Sequence, residues 1–318
     1  MTIVPYSPEY KTRWNELVRN SRTASFLFDR NYMDYHADRF TDRFTDRSLM
    51  LLDDRGRLIA ALPATADGTV LYSHRGLTYG GWITDRRQSS MATMLQAWTL
   101  MMEYLRAEGF TELIYKTVPY IYHNYPADED QYLIFRSGGQ IIETGISAVV
   151  DLSAPIPFDS NARRGAAYAS SHGVTVAESS DFEGFWNILS QLLRERYDTT
   201  PVHSLQEITM LASRFPDNIR LYTSSIGGEL LGGTVVYFTD TVAKAQYIAA
   251  SPEGKRLKVL PQLFSWIISN HCGNRRYFDF GTSNGDHGRY LNEGLIRQKN
   301  GMGGRGVAYN VYRIPVVI

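Results

Sequence analysis

The densest concentration of unusual residues lies between Gly281 and Gly306, where eight of 26 positions are glycine. Glycine at this density indicates repeated turns with positive φ, or backbone brought close to a ligand. The GxGxxG spacing that ends at Gly306 precedes a predicted C-terminal strand instead of joining a strand to a helix, so dinucleotide binding is not favoured. The GxSxG spacing around Ser283 has no histidine after His287, so a serine hydrolase is not favoured either.

A second candidate site follows the predicted strand Ala243–Ala250. Its loop contains Gly254 and Lys255 and leads into a predicted helix, Leu260–Cys272. A strand, a short loop and a helix N-terminus in this order present backbone N–H groups and a positive dipole end to a phosphate. A nucleotide-hydrolysing P-loop is not indicated, because arginine follows the Gly-Lys pair and the first glycine of that motif is missing. The predicted cofactor-binding residues are Gly254, Lys255, Arg256, Ser283 and Asn284.

Substrate-contacting side chains are predicted in the first half of the chain. Arg75 and Tyr79 share a glycine-flanked loop with His74, which gives that loop a cation and a titratable group. Tyr120 and His123 belong to VPYIYHNYPADEDQY, which contains four tyrosines. Tyrosines offer flat apolar area with a polar tip, as sugar-binding surfaces do. The alternative is a tyrosine-rich interface that packs the two halves of the chain together.

The order of predicted elements is the same in both halves. Hydrophobic periodicity predicts two helices, three strands, a helix and a strand (ααβββαβ) in each. Trp14 and Trp186 occupy the same place in the first predicted helix of each half. Elements in register predict an internal duplication, with domains at residues 1–150 and 151–318. The predicted helices are Pro8–Arg19, Asn31–Phe40, Met91–Arg106, Asn161–Ser171, Phe182–Arg196, Ser204–Phe215 and Leu260–Cys272. The predicted strands are Leu49–Asp53, Leu58–Thr65, Val70–Ser73, Glu112–Thr117, Ile219–Thr223, Leu230–Phe238, Ala243–Ala250 and Tyr277–Gly281.

The strand, loop and helix set inside ααβββαβ resemble the fold of GNAT acyltransferases, in which the corresponding loop holds the pyrophosphate of coenzyme A. Two such units in one chain resemble the FemABX-type acyltransferases over nearly the whole sequence. The segments that carry the resemblance are Tyr72–Gly81, Lys116–His123 and Gly294–Gly304. The last looks like the family segment G-L-x-x-F-K-x-x-F-G, with Gln298 and Met302 in place of the phenylalanines. The family's donor-loop pattern, Arg/Gln-x-x-Gly-x-Gly/Ala, is met only in part by SPEGKRLKV.

This resemblance implies a catalytic role for Lys299, the lysine of the last segment. In the family that lysine lies at the acyl-donor end and stabilises the charge that develops on the ester under attack. A cation aimed at a forming oxyanion contributes on the order of 3 kcal/mol. The alternative is a structural lysine at a helix end beside a glycine turn.

Acyl transfer to an amine also requires a base, because only the neutral amine attacks. Glu293 and Asp279 are the carboxylates nearest in sequence to the implied donor site, and His74 or His123 are candidates from the first half. Alternation along Tyr277–Gly281 places Asp279 on the face opposite to the two phenylalanines. Asp279 is therefore expected to face a cleft, unless a partner lysine makes it structural.

Composition limits the remaining possibilities. The chain has 318 residues, 43% of them apolar, and its 33 basic and 33 acidic side chains give a formal charge of zero. This balance predicts a globular protein and disfavours whole-surface binding of polyanions. Cys272 is the only cysteine, so no internal disulfide can form and a cytoplasmic location is expected. Neither a signal peptide nor a membrane span is expected, and the scattered histidines predict no metal site.

We therefore predict an α/β (α+β) protein of two tandem GNAT-like domains, each a mixed central sheet flanked by helices, with a groove where they meet. The expected function is transfer of an acetyl or aminoacyl group to a small amine, such as an amino sugar or a cell-envelope precursor. The neutral charge favours acetyl-CoA or another acyl-CoA over aminoacyl-tRNA as the donor. The alternative is a non-catalytic binding protein that has kept the fold and lost its donor loop. The acyl group, the acceptor and the oligomeric state stay open.

Overall fold

The computed structural model describes residues 1–23, 25–35 and 45–316. The chain divides into two compact units. The domain limits expected from the sequence, 1–150 and 151–318, stay a prediction. Unit 1 contains Met1–Gly145, Asp286–Tyr290 and Ala308–Ile318, and unit 2 contains Ile146–Gly285 and Leu291–Val307.

Helices and strands alternate along the described residues. The helices are α1 Lys11–Arg19, α2 Arg30–Met33, α3 Met91–Ala107, α4 Glu129–Arg136, α5 Ser160–Ser171, α6 Phe182–Tyr197, α7 Leu205–Arg214, α8 Pro252–Arg256, α9 Val259–Asn270 and α10 Glu293–Gly301. Strands of the first half are β1 Thr2–Pro5, β2 Thr45–Asp46, β3 Leu49–Leu52, β4 Leu58–Leu62, β5 Thr65–Asp67, β6 Val70–Tyr72, β7 Ile83–Thr84 and β8 Glu112–Lys116. The others are β9 Gln140–Asp151, β10 Thr175–Ser179, β11 Ile219–Ile226, β12 Glu229–Phe238, β13 Val242–Ala250, β14 Tyr277–Thr282, β15 Asn284–Gly285, β16 Tyr290–Leu291 and β17 Arg305–Pro315.

Most elements predicted from periodicity are confirmed within a few residues, and the exceptions have local causes. The strand predicted at Leu58–Thr65 is two strands, β4 and β5, separated by Pro63 and Ala64; proline has no N–H to give to a ladder. The helix predicted at Asn31–Phe40 is shorter where it is described, as α2, and its C-terminal part lies outside the described residues. The sequence patterns did not predict β1, β2, β7, β9, β10, β15, β16, α4, α8 and α10.

Unit 1 contains two groups of paired strands. β3 lies between β1 and β4, and β4 pairs with β7, all antiparallel. β8 pairs in parallel with β6 and antiparallel with the C-terminal part of β17. Helix α3 packs its buried Met94, Trp98, Met101 and Leu105 into the core of this unit. Their spacing of three and four residues places them on one helical face.

Unit 2 is a mixed sheet with the order β10, β11, β12, β13, β14 and the C-terminal part of β9. Neighbouring strands are antiparallel except β13 and β14, which are parallel. Helix α9 buries Leu263, Phe264 and Ile267 in one core with Phe278 and Phe280 of β14. The two phenylalanines share one face, as strand alternation predicted, and the structure packs that face into the core.

A parallel strand pair joined through a helix recurs in both units, as β6–α3–β8 and as β13–α8–α9–β14. The strand, helix and parallel strand that end the predicted ααβββαβ order thus occur in both units. A parallel pair needs a long crossover connection, and a helix supplies it in both cases. This recurrence places the two candidate loops, after β6 and after β13, at equivalent positions.

Among the described residues, no helix is both long enough and apolar enough to span a membrane. Among these same residues, no three or more His, Cys, Asp or Glu side chains are grouped so that they could hold a metal ion.

Candidate functional site

A cavity of about 630 Å³ lies within unit 2. Small-molecule sites commonly have about 300 to 1,000 Å³, so it is large enough for a cofactor-sized ligand. Its walls come from three places: the start of α5, the junction of α8 and α9, and one face of α10. The lining residues are Asp159, Asn161, Ala162, Gly165, Ala250, Gly254, Lys255, Lys258, Val259, Leu260, Pro261, Gly294, Arg297, Gln298, Gly301 and Met302.

Helix α10 presents one stripe to this cavity. Asn292 caps the helix by accepting a hydrogen bond from the N–H of Leu295 at 3.0 Å. Gly294, Arg297, Gln298 and Gly301 then follow at helical spacing and line the wall. This stripe was missed because glycines at both ends of the helix hide its periodicity.

The junction of α8 and α9 forms the wall predicted to bind phosphate. Ser251 caps α8 by accepting a hydrogen bond from the N–H of Gly254 at 3.0 Å. Lys258, between the two helices, has φ of 57°, a left-handed conformation that is uncommon for lysine. Such conformations cost free energy and cluster at binding sites. Lys255 and Lys258 both line the cavity and are exposed.

The charged residues of the cavity wall are mainly cationic. Lys255, Lys258 and Arg297 are cations, and the one carboxylate in the wall is Asp159, whose Oδ1 accepts a hydrogen bond from the N–H of Ala162 at 2.7 Å. The remaining lining is largely apolar or glycine. An anionic ligand with a flexible apolar arm matches this combination of charge and shape.

Gly254 has a packing role in addition to its place in the cavity wall. A Cβ at this position would lie 2.1 Å from the carbonyl oxygen of Leu231 in β12. We expect Gly254→Ala to lower the free energy of unfolding by about 2 kcal/mol or more, because backbone must move. Gly294→Ala is the matched control, since the nearest atom to its Cβ would be Asn292 Oδ1 at 3.6 Å. Urea denaturation of both variants measures the difference, and equal stability of the two would contradict this packing role.

The parallel register of β13 and β14 covers three residue pairs and ends at Lys244 and Asp279. These two residues form a buried ion pair, with Lys244 Nζ 3.2 Å from Asp279 Oδ2. The other carboxylate oxygen accepts hydrogen bonds from Ser147 Oγ at 2.5 Å and from the N–H of Gly281 at 2.7 Å. Asp279 is 0% exposed. The partner lysine that would make Asp279 structural is therefore present, and the aspartate does not face an open cleft.

Lys299 lies on α10 about 100° round the helix from Gln298 and away from the cavity-lining stripe. Its ammonium donates hydrogen bonds to the carbonyl oxygens of Gly281 and Thr282, each at 2.8 Å. The side chain is 4% exposed. Burial, and then the neighbouring charge of Lys244, lower the pKa of Lys299 to about 8. The end of β14 therefore holds the ammonium of Lys299, which loses its proton not far above neutral pH.

The other residues predicted in unit 2 do not join the cavity. Glu293 is exposed in the first turn of α10. Arg256 is exposed and forms an ion pair with Glu253 at 2.6 Å. Ser283 is buried, and Asn284 Oδ1 accepts a hydrogen bond from the N–H of Ile146 at 2.6 Å. None of these four is among the residues that line the described cavity.

The residues predicted to bind substrate all belong to unit 1, where three of them have structural contacts. Arg75 pairs with Asp67 at 2.9 Å. Tyr79 is buried, with its hydroxyl 2.9 Å from Ser25 Oγ. His123 Nε2 lies 2.9 Å from the Val118 carbonyl oxygen, and burial lowers the pKa of the histidine.

Two further predicted residues of unit 1 differ in their exposure. Tyr120 is 57% exposed, whereas His74 is buried with φ of 66°. Lys116, which was not predicted as a site residue, is partly buried and donates to the carbonyl oxygens of Arg75 and Leu77 at 3.3 and 3.0 Å. Burial lowers the pKa of Lys116. A lysine bound to two backbone carbonyl oxygens thus occurs in both units, and the binding roles in unit 1 stay predictions.

Comparison with known proteins agrees with this architecture. Residues 158–290 match the acetyltransferase (GNAT) domain family. No curated protein sequence matches the chain. The crystal structure of FemX superposes with a TM-score of 0.68 at 11% identity, over 98% of this chain and 97% of that chain.

Two other solved structures share the fold along their length. One is the C-terminal domain (DUF2156) assigned to a lysylphosphatidylglycerol synthetase from Agrobacterium fabrum, with a TM-score of 0.59 at 13% identity over 96% of this chain and 91% of that chain. The other is a tandem GNAT protein from the clavulanic acid biosynthesis pathway, with a TM-score of 0.51 at 13% identity over 99% and 98%. Likeness at these identities shows the fold, which is that of two tandem GNAT-like domains.

Proposed function

We propose that unit 2 binds an acyl-CoA and that the protein transfers its acyl group to a small amine. The match of residues 158–290 to the acetyltransferase (GNAT) domain family and the fold of two tandem GNAT-like domains support this proposal. The observation that carries this proposal is the cationic cavity at the junction of α8 and α9. The resemblance to GNAT acyltransferases supports this proposal, because it implies that the pyrophosphate of coenzyme A binds at this same junction.

The lining residues fit coenzyme A in both charge and shape. Lys255, Lys258 and Arg297 would face its phosphates, since each is a cation on the cavity wall. Val259, Leu260 and Pro261 supply apolar surface for an extended arm. Aminoacyl-tRNA is the less favoured donor, because a long polyanion requires a basic track and the formal charge of the chain is zero.

Lys299 is the proposed electrostatic catalyst. A bound acyl-CoA would supply an activated thioester carbonyl. Two hydrogen bonds to the carbonyl oxygens of Gly281 and Thr282 fix the direction of the ammonium and leave its third N–H for a forming oxyanion. We place the reactive end of the donor where β13 and β14 cease to pair, beside Lys299.

The acceptor and the base remain proposals from the sequence. Glu293 is an exposed carboxylate on the same helix as Lys299 and is our preferred base, and His74 of unit 1 is the second candidate. The acceptor is proposed to be a small amine, such as an amino sugar or a cell-envelope precursor, contacted by unit 1 residues. Those residues are Arg75, Tyr79, Tyr120 and His123.

A transfer assay tests the proposal. The protein is incubated with acetyl-CoA and a panel of amines that includes glucosamine, and thiol release is measured. We expect amine-dependent thiol release, with Lys255→Gln raising KM for acetyl-CoA about tenfold through loss of a phosphate contact. Arg256→Gln is the matched control: it removes the same charge one residue away, outside the cavity wall, and should leave KM unchanged. Binding of coenzyme A without release of its thiol in the presence of any amine of the panel would favour the non-catalytic alternative.

A further inference from the structure

The buried charges of unit 2 form one connected network around the end of β14. Asp279 accepts a hydrogen bond from the N–H of Gly281 at 2.7 Å, two residues further on. Gly281 has φ of 79°, which a residue with a Cβ adopts at a cost. This turn directs the carbonyl oxygens of Gly281 and Thr282 to the Lys299 ammonium. The carboxylate of Asp279 is thus bonded to the turn whose carbonyl oxygens hold Lys299.

Lys244 provides the opposite charge that this carboxylate requires. It lies on β13, directly opposite Asp279 in the parallel register, and is 8% exposed as a residue. Removing one partner of a buried pair leaves an unpaired charge, which is strongly unfavourable. Lys244 Nζ lies beside Gly281, 3.6 Å from where a Cβ of that residue would be, and its charge repels the Lys299 ammonium that binds the Gly281 carbonyl oxygen. Lys244 therefore has two effects on Lys299. It stabilises the Asp279 carboxylate, and its own charge opposes protonation of Lys299.

We propose that Lys244 and Asp279 are positioning residues for Lys299: together they fix the turn that holds its ammonium and set the balance of charge around it. This inference rests on the proposed function for its meaning in catalysis. Lys244 and Asp279 have opposite electrostatic effects on Lys299, because the charge of Lys244 repels its ammonium and the charge of Asp279 attracts it. Other charged groups on α10 or across the cavity from it are Glu293, Arg297, Asp159, Lys255 and Lys258, and Arg305 donates to the carbonyl oxygen of Asn300.

Opposite shifts in the titration of Lys299 test this proposal directly. The protein is labelled with ¹³C and ¹⁵N in lysine, and the Lys299 signal is assigned by its loss in Lys299→Met. Lys244→Met should raise the pKa of Lys299 from about 8, and Asp279→Asn should lower it, each by about one unit or more. Lys244→Arg keeps the charge and should leave the midpoint nearly unchanged. A midpoint that stays the same in both charge-removing variants, or moves in the same direction, would overturn the proposal.

A double variant and a kinetic readout complete the test. Lys244→Met leaves a buried carboxylate unpaired and could fail to fold, so Lys244→Met with Asp279→Asn provides a neutral pair. Its Lys299 midpoint should lie above that of Asp279→Asn alone, because the two differ only in the charge of Lys244; equal midpoints would overturn the proposal. In active variants, the high-pH limb of the rate profile should move with the midpoint. Opposite NMR shifts in a protein without transferase activity would refute the proposed function and leave the network intact.

Discussion

Lys299→Met is expected to lower the transfer rate at saturating acetyl-CoA about 100-fold or more. The ammonium that it removes is 4% exposed and held by two carbonyl oxygens, so it is already oriented before any charge develops. Loss of one such preorganised donor typically costs a factor of about 100 to 1,000 in kcat. Steady-state kinetics at pH 7, where an ammonium with a pKa of about 8 is mostly protonated, measures the change.

Arg297→Gln is the matched control on the same helix. Arg297 lines the cavity and Lys299 does not, so the arginine variant should raise KM for the donor and leave kcat within a few-fold. A Lys299→Met enzyme that turns over within about threefold of the unmodified protein would remove this lysine from the mechanism, since an oxyanion partner is worth far more.

Removing the charge of Lys244 should lower the free energy of unfolding by several kcal/mol. Lys244→Met leaves Asp279, at 0% exposure, without its ion-pair partner at 3.2 Å. Breaking a buried pair from one side costs about 3 to 5 kcal/mol, mainly because the remaining charge is uncompensated. The midpoint of urea-induced unfolding, compared with that of the unmodified chain, measures the loss.

The double variant, Lys244→Met with Asp279→Asn, separates unpaired charge from lost packing. The amide introduced by Asp279→Asn retains an oxygen for the N–H of Gly281, which lies 2.7 Å from the carboxylate in the unmodified protein. Neutral replacement of both partners is often close to neutral in stability. We therefore expect the double variant to recover most of the loss. A double variant as unstable as Lys244→Met would show that packing, and not charge, accounts for the effect.

Hydrophobic periodicity predicted most of the fold because its main elements are amphipathic or bounded by caps. Helix α7 begins with a Ser204–Glu207 capping box, and α3 places Met94, Trp98 and Met101 on one buried face. Strand β9 was missed because its twelve residues, QIIETGISAVVD, show no steady alternation and run from one compact unit into the other. Local pattern does not report pairing between distant segments.

The candidate site was predicted only in part, because local sequence patterns do not report contacts between distant segments. Gly254 and Lys255 could be selected because a loop between a strand and a helix has a sequence signal, and both line the cavity. Arg297 was missed because α10 was not predicted. The pair of Lys244 and Asp279 spans 35 residues and depends on the parallel register of β13 and β14, which no local sequence signal contains.

Calorimetric titration of the purified protein with coenzyme A tests the central claim, that the cavity of unit 2 binds the donor. We expect one molecule of coenzyme A per chain, and a ligand present at 100 times its Kd should add about 2.7 kcal/mol to the free energy of unfolding. Combined replacement of Lys255, Lys258 and Arg297 by glutamine should abolish the binding heat, while Arg256→Gln should preserve it. The absence of binding to the unmodified chain, or unchanged binding to the triple variant, would contradict the account.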